Sequence, residues 1–371
     1  MLFISLNVLL FISSFTNNRT IFKITFFMTA CYCSMSFGRG FDWINYYDVY
    51  QNVELYDAPF EPGYLNVLRT FNWLGFSYPM QNFVVVLFLF YCVYVFVSKT
   101  QNPSLAFFTI FCFMGHYILS EQIRQAIAIC IILLFFDFFI KRKVLKGTVV
   151  IALAMCFHIS AVFCFIYFFI VNTNAKYSNV KFSIYCSVFL LVSYYMWSNP
   201  AIISTVPILY NKFVSYTEAY TEGFISIERI ISSKVVMIYI FLLCLSIWLL
   251  KKYNLKSLNG SIKALVFMTL SKLTIFFGRF QYYMVPILIL GFDEYFAKYK
   301  IKNKVNVHRL IYASCLFIIS LVPLWTPSTF ESINDSLYFN ASPKEIESGI
   351  MRRCKTLNHY DPQNGAIWRC K

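Results

Sequence analysis

The sequence predicts an all-α fold: a polytopic transmembrane helical bundle of about 10–12 spans. Three observations predict it. Of 371 residues, 59% are hydrophobic and 13% are charged, where a soluble domain carries roughly 25% charged residues. Mean hydropathy is +0.61. The basic residues behind the net charge of +15 gather in short runs between apolar stretches, as cytoplasmic loops of membrane proteins do. That patterning argues against a nucleic-acid partner and for the lipid bilayer.

A spanning helix needs about 20 apolar residues. Residues 2–15 are apolar but lack a basic n-region and a small-residue cleavage site, so they read as an uncleaved first span. The spans that follow are 20–36, 81–98, 104–119, 122–140, 181–197, 235–250, 262–278, 280–296 and 309–325. Together they make residues 1–325 a single integral membrane domain.

Segment 147–171 is apolar enough for one helix, but a single crossing would put the basic runs Lys251–Lys263 and Lys298–Arg309 outside, against the positive-inside rule. A hairpin turning near His158 puts those runs inside, with Arg19, Lys23, Lys99, Lys141–Lys146, Lys176 and Lys181. Each arm has about a dozen residues and covers roughly 18 Å, short of the roughly 30 Å hydrocarbon core. Two half-helices are therefore expected; the alternative is one long tilted helix with a buried His158. Three segments are then extracytoplasmic: 37–80, 198–234 and the tail 326–371. Within the first, Tyr64 to Met80 has the makings of an interfacial helix.

The chemistry-bearing residues sit on that outer side. Segment 37–64 holds Asp42, Asp48, Glu54, Asp57 and Glu61 among Trp43, Tyr46, Tyr47, Tyr50 and Tyr64. Aromatic rings stack on apolar sugar faces, carboxylates accept bonds from hydroxyls, and a carboxylate can act as general base. The bland alternative is an interfacial loop without chemistry. Arg124 lies where two spans meet, three residues after Glu121; it is either half of a local ion pair or a fork for a phosphate. Charge at membrane depth favours function. Lys272 and Arg279, seven residues apart, would share a helix face and suit a pyrophosphate, the alternative being a snorkelling Arg279. Tyr282 and Tyr283 follow as interface aromatics. His116 reads as structural. No Walker loop, dinucleotide fingerprint or metal constellation occurs. Ten of the 12 cysteines lie in apolar segments, where Cys acts as a small hydrophobe.

The order Gly38-Arg39-Gly40-Phe41-Asp42-Trp43, then Glu61-Pro62-Gly63-Tyr64, then Arg124-Gln125 with Ala128 near it, a basic loop, and Phe157-His158-Ile159-Ser160-Ala161 resembles the EpsG-like branch of Wzy-type repeat-unit polymerases. The likeness covers about residues 20–175; Gly278-Arg279-Phe280 with Tyr283 is similar to a later pattern of that family, and the tail from 326 has no counterpart. The resemblance implies a GT-C-like, metal-independent membrane glycosyltransferase without cofactor, in the bacterial inner membrane, with its active site facing the periplasm or exterior. It would move a glycan from undecaprenyl pyrophosphate to the sugar hydroxyl of another lipid-linked repeat unit, in O-antigen, capsule or exopolysaccharide synthesis, alongside a flippase and a chain-length regulator. The roles it suggests are His158, Asp42 and Glu61 in catalysis, with His158 as base or phosphate ligand. Arg124 and Arg279 would hold pyrophosphate, Lys272 and Arg39 less directly, and Trp43, Tyr46, Tyr64 and Tyr283 the sugar. A flippase, an O-antigen ligase or a membrane O-acyltransferase are the alternatives.

The tail carries Cys354 and Cys370. An outside placement is oxidising, so a Cys354–Cys370 disulfide is expected; the alternative is two free thiols on an inner tail. With few aliphatic residues, the tail is not expected to bury a core of its own.

Overall fold

The structure is a computed structural model, and it describes residues 2–53, 60–171, 178–199, 204, 233–272, 277–299, 306–360 and 367–370. Glu54, Asp57, Lys176, Lys300, Lys302, Lys304 and most of the loop 198–234 lie outside the described residues. What is described is helical apart from one two-residue antiparallel ladder. The chain divides into two compact units, one of residues 1–168 with 300–371 and one of residues 169–299.

The first unit opens with α1 (Leu2–Ser13) and α2 (Arg19–Ser34), the strand β1 (Ser36–Phe37), and the helices α3 (Asp42–Gln51) and α4 (Pro62–Trp73). Then come α5 (Tyr78–Val97), α6 (Pro103–Ile110), α7 (Ile123–Leu134), the short α8 (Asp137–Ile140) and α9 (Val144–Met155). Local chemistry sets several starts. The Asn18 side chain accepts from the N–H groups of Thr20 and Ile21 and caps α2. Pro62 and Pro103 occupy the first turns of α4 and α6, where a missing N–H is harmless. The core between α2, α5 and α6 is aromatic: Phe22, Phe26, Phe90 and Phe107 pack with ring centres 4.5 to 6.4 Å apart.

Segment 147–171 is a hairpin. Helix α9 ends at Met155, the chain turns at residues 156–158, and a 3₁₀ helix (Ile159–Ile166) leads into α10 (Tyr167–Ile170). The return is visible at its base, where Phe168 lies 5.5 Å from the Phe139 ring and Tyr167 5.4 Å from Phe136. A Cβ on Gly147 would sit 2.6 Å from the Phe168 ring. The break at 156–158 removes the single tilted helix.

The base of the hairpin shares an end of the unit with the basic loop 141–146. Arg309, at the start of α15 (Val307–Ser320), belongs to this end too. It donates to the Ser14 carbonyl at 2.9 Å and to Asn17 and Asn102 at 3.2 Å, while Lys99 pairs with Asp137 at 2.8 Å. The other end carries α3, the start of α4, the turn 116–122 and the turn 156–158.

Several spans differ from their sequence outlines. The 104–119 segment is not one α-helix: α6 gives way to a π-helical turn at Phe111–Gly115, a form common near functional sites. The 309–325 span ends at Ser320, and a 3₁₀ turn (Val322–Trp325) carries Pro323.

The tail holds α16 (Pro327–Asn334), β2 (Leu337–Tyr338) and α17 (Pro343–Tyr360), and it does bury a small core. Ile333, Leu337, Ile346, Ile350 and Ile367 are all buried, because Ile346, Ile350 and Arg353 fall on one face of α17. Cys354 and Cys370 form the expected disulfide, with Cα atoms 4.9 Å apart. β2 pairs with β1, so the tail is anchored on the segment that precedes α3.

The second unit holds α11 (Ser178–Ser198), α12 (Lys234–Tyr253), α13 (Leu258–Ser271) and α14 (Gln281–Lys298). Helices α13 and α14 approach closely at small residues: a Cβ on Gly291 would lie 2.0 Å from the Ser261 hydroxyl oxygen, and Ser261 donates to the Leu288 carbonyl. Helix α13 stops at Ser271, Lys272 lies at its C-cap, and Arg279 sits in a separate 3₁₀ turn. The expectation of Lys272 and Arg279 on one continuous helix is therefore corrected, because the α-helix stops at Ser271 and Arg279 lies in a 3₁₀ turn.

Two helices are long and apolar enough to cross a membrane by length and composition, Tyr78–Val97 and Lys234–Tyr253; seven further apolar helices of 10–17 residues occur among the described residues.

Candidate functional site

Glu61 and Arg124, 63 residues apart, form an ion pair at 2.7 Å between Oε2 and Nη1. Each is delivered by a helix start: Glu61 is the N-cap residue of α4, and Arg124 lies in the first turn of α7. The pair is partly covered, with 11% of the Glu61 side chain and 20% of the Arg124 side chain exposed. The other Glu61 carboxylate oxygen accepts the backbone N–H of Ile159 at 3.3 Å. The hairpin apex is thereby tied to the pair.

Gly63 makes that convergence possible. Its N–H donates to the Cys156 carbonyl at 2.8 Å, and a Cβ there would lie 2.7 Å from the same oxygen. The start of α4 is pressed on the turn 156–158, and only glycine leaves the room.

Aromatic rings pack around the pair. The Arg124 guanidinium lies 4.3 Å from the centre of the Phe60 ring and 5.7 Å from that of Tyr46, within cation–π range. Tyr46, Phe60 and Tyr64 pack edge to face, 5.5 to 5.8 Å apart. Arg124 Nε is covered and has no hydrogen-bond partner among the described residues.

His158 caps the 3₁₀ helix. Its Nδ1 accepts the Ser160 N–H at 3.2 Å and lies 2.5 Å from the Ser160 hydroxyl. A backbone donor at Nδ1 requires a lone pair there. That arrangement leaves Nε2 as the ring's N–H position.

Asp42 begins α3 one turn before Tyr46, so the two share a helix face. Its carboxylate is half-buried and has no hydrogen-bond or ion-pair partner among the described residues. Glu121 serves the same loop by accepting the Phe41 N–H at 2.8 Å. A Cβ on Gly40 would overlap the Glu121 carboxyl group, 1.9 Å from its carbon.

The other sequence candidates are placed differently. Arg39 is 2% exposed and donates to the Tyr32 carbonyl at 2.6 Å, to Ser120 at 3.3 Å and to Ser36, with its guanidinium over the Tyr32 ring. It ties the loop down. Trp43, Tyr46, Tyr64 and Tyr283 are at most 4% exposed; their faces are taken up by protein, not presented for stacking on a sugar. Lys272 and Arg279 belong to the second unit. His116 is buried against Phe3 and Tyr117, and neither ring nitrogen has a hydrogen-bond partner among the described residues.

Two contributors went unread in the sequence. Phe60 precedes the Glu-Pro-Gly-Tyr motif without a pattern of its own. Ser160 was visible inside Phe-His-Ile-Ser-Ala, and its two-residue offset is that of a capping side chain. Among the described residues no group of three or more His, Cys, Asp or Glu side chains is arranged to hold a metal ion.

The model of the EpsG family matches residues 19–338 of the chain. No curated protein and no solved structure matches it.

Proposed function

The chain belongs to the EpsG family, and from that premise we propose that it is a membrane polysaccharide polymerase working at the Glu61–Arg124 site. The observation that carries the proposal is the convergence of Glu61, Arg124 and the His158 turn, three motifs distant in sequence, at the end of the unit opposite its basic loops. With the basic end in the cytoplasm of a bacterium, the site faces the exterior or periplasm, where lipid-linked repeat units are joined.

The reaction needs an acceptor hydroxyl oxygen to attack the anomeric carbon of a glycan carried on undecaprenyl pyrophosphate. The bond from that carbon to the phosphate oxygen breaks, its electron pair leaves with the pyrophosphate, and the hydroxyl proton passes to a base. Arg124 meets the leaving charge: Glu61 holds its guanidinium through Nη1, and a fifth of the side chain stays exposed. His158 adds an Nε2–H donor, which favours phosphate binding over the role of base. Glu61 has both oxygens engaged, so it orients the guanidinium. Asp42, half-buried on the Tyr46 face of α3, is the proton acceptor.

Deletion of the coding sequence followed by gel analysis of surface glycan tests the function. A polymerase leaves single repeat units on the surface lipid. A flippase would leave none, and an O-acyltransferase would leave full-length, unacylated chains; either result overturns the proposal.

A further inference from the structure

The polymerase site rests on α3 and the loop before it, and that loop is held from outside by the tail. Arg353 of α17 is buried and donates to three carbonyls at once: to that of Gly38 at 3.1 and 2.7 Å, to that of Ser332 at 2.6 Å and to that of Asp335 at 2.8 Å. Gly38 meets it with φ +74°, a left-handed conformation suited to glycine. Ser332 donates to the Arg39 carbonyl, and β2 pairs with β1 two residues before the turn begins.

A second tie reaches α3 itself. Arg369 donates to Asp48 at 2.7 Å and to both oxygens of Glu347, on α17, at 2.9 and 2.7 Å. Asp48 is two residues after Tyr46 and six after Asp42 on the same helix. Burial raises the Asp48 carboxyl above its usual range, and Arg369 opposes that. Arg369 is placed by its neighbour: the Cys354–Cys370 disulfide staples the chain end to α17. Helix α17 and Arg369 both lie beyond residue 338, outside the family match.

We infer that the disulfide-closed tail is a strap over the catalytic end, and that Arg369, through Asp48, is a positioning residue for α3 and its Asp42. The strap rests on the polymerase reading of the Glu61–Arg124 site. Arg369 touches no substrate; it fixes the helix whose first turn offers the base. A small loss of register there changes the chemical step more than donor binding.

The test uses the full chain, purified and reconstituted, with lipid-linked repeat units extracted from a strain lacking this protein. Arg369→Ala and Asp48→Ala alter partly exposed side chains and leave Arg353 and the disulfide in place, so both variants fold. Each is expected to lower kcat by about 10-fold, with KM within about twofold and Tm unchanged. Asp48→Glu recovers most of the rate. The double variant is no worse than Arg369→Ala, since either change already removes the Arg369–Asp48 contact. Wild-type kcat in both single variants, or losses that add in the double variant, overturns the strap. Arg124→Ala is measured alongside. If it is inactive while the strap variants behave as wild type, only the strap fails; if it polymerises normally, the site reading fails and the strap with it.

Discussion

Gly63→Ala probes the site without touching a charged group. The new methyl would lie 2.7 Å from the Cys156 carbonyl oxygen and 3.0 Å from its carbon. These are backbone atoms and cannot rotate away. Reaching an ordinary contact of about 3.4 Å needs roughly 0.7 Å of separation between α4 and the turn 156–158. The Gly63 N–H bond, now 2.8 Å, would stretch to about 3.5 Å, and the Ile159 to Glu61 bond, already 3.3 Å, would open. Two net hydrogen bonds at roughly 0.5–1.5 kcal/mol each put the stability loss near 1–3 kcal/mol. The catalytic effect is larger in proportion: a misplacement approaching 1 Å in a positioned group can lower the rate by about 10²-fold. Complementation of a deletion strain reads this out as glycan ladder length, with immunoblots for protein in the membrane. Thr70→Ala, exposed on the same helix, is the matched control and keeps a normal ladder. A full ladder from Gly63→Ala at normal protein level would refute the argument that this close approach sets the Glu61–Arg124 geometry.

Arg124→Ala is expected to abolish polymerisation with protein still in the membrane, and Arg124→Lys to restore only part of it, because an ammonium lacks the planar fork; normal ladders from the alanine variant would sink the leaving-group role. His158→Ala should cut activity, and His158→Gln should retain more of it if the ring acts as a hydrogen-bond donor; equal loss in both would point to base chemistry instead. Asp42→Asn is expected to cost about 10²-fold or more in kcat as the base, and near-normal turnover would move the base elsewhere. In unreduced protein neither Cys354 nor Cys370 should react with a thiol alkylator, whereas Cys354→Ser should loosen the tail by roughly 3 kcal/mol; labelling of both thiols without reductant would contradict the bridge. A cysteine introduced at Lys176 should label from the cytoplasmic side, and labelling from outside would contradict the membrane orientation given to the hairpin.

The sequence alone carried whatever depends on local composition and periodicity. Apolar runs marked most of the helices; charge asymmetry, counted across the whole chain, called for a return near His158, and the structure turns at 156–158. The order of short motifs marked the family across residues that its model spans. The spacing of Cys354 and Cys370 and their expected compartment marked the disulfide. Tertiary structure decided which of the polar candidates meet. Glu61 and Arg124 are 63 residues apart, and nothing in either neighbourhood names the other; only the close approach at Gly63 joins them. Burial sorted the aromatics in the same way, turning Trp43 and Tyr64 inward, because a ring that packs a core and one that stacks on a sugar have the same local sequence. It also found a core in the tail, since five aliphatic side chains suffice once α17 and β2 bring them to one point. Local signals name the elements; which faces of them meet is fixed by contacts that close over long stretches of chain, and those become visible only when the chain is folded.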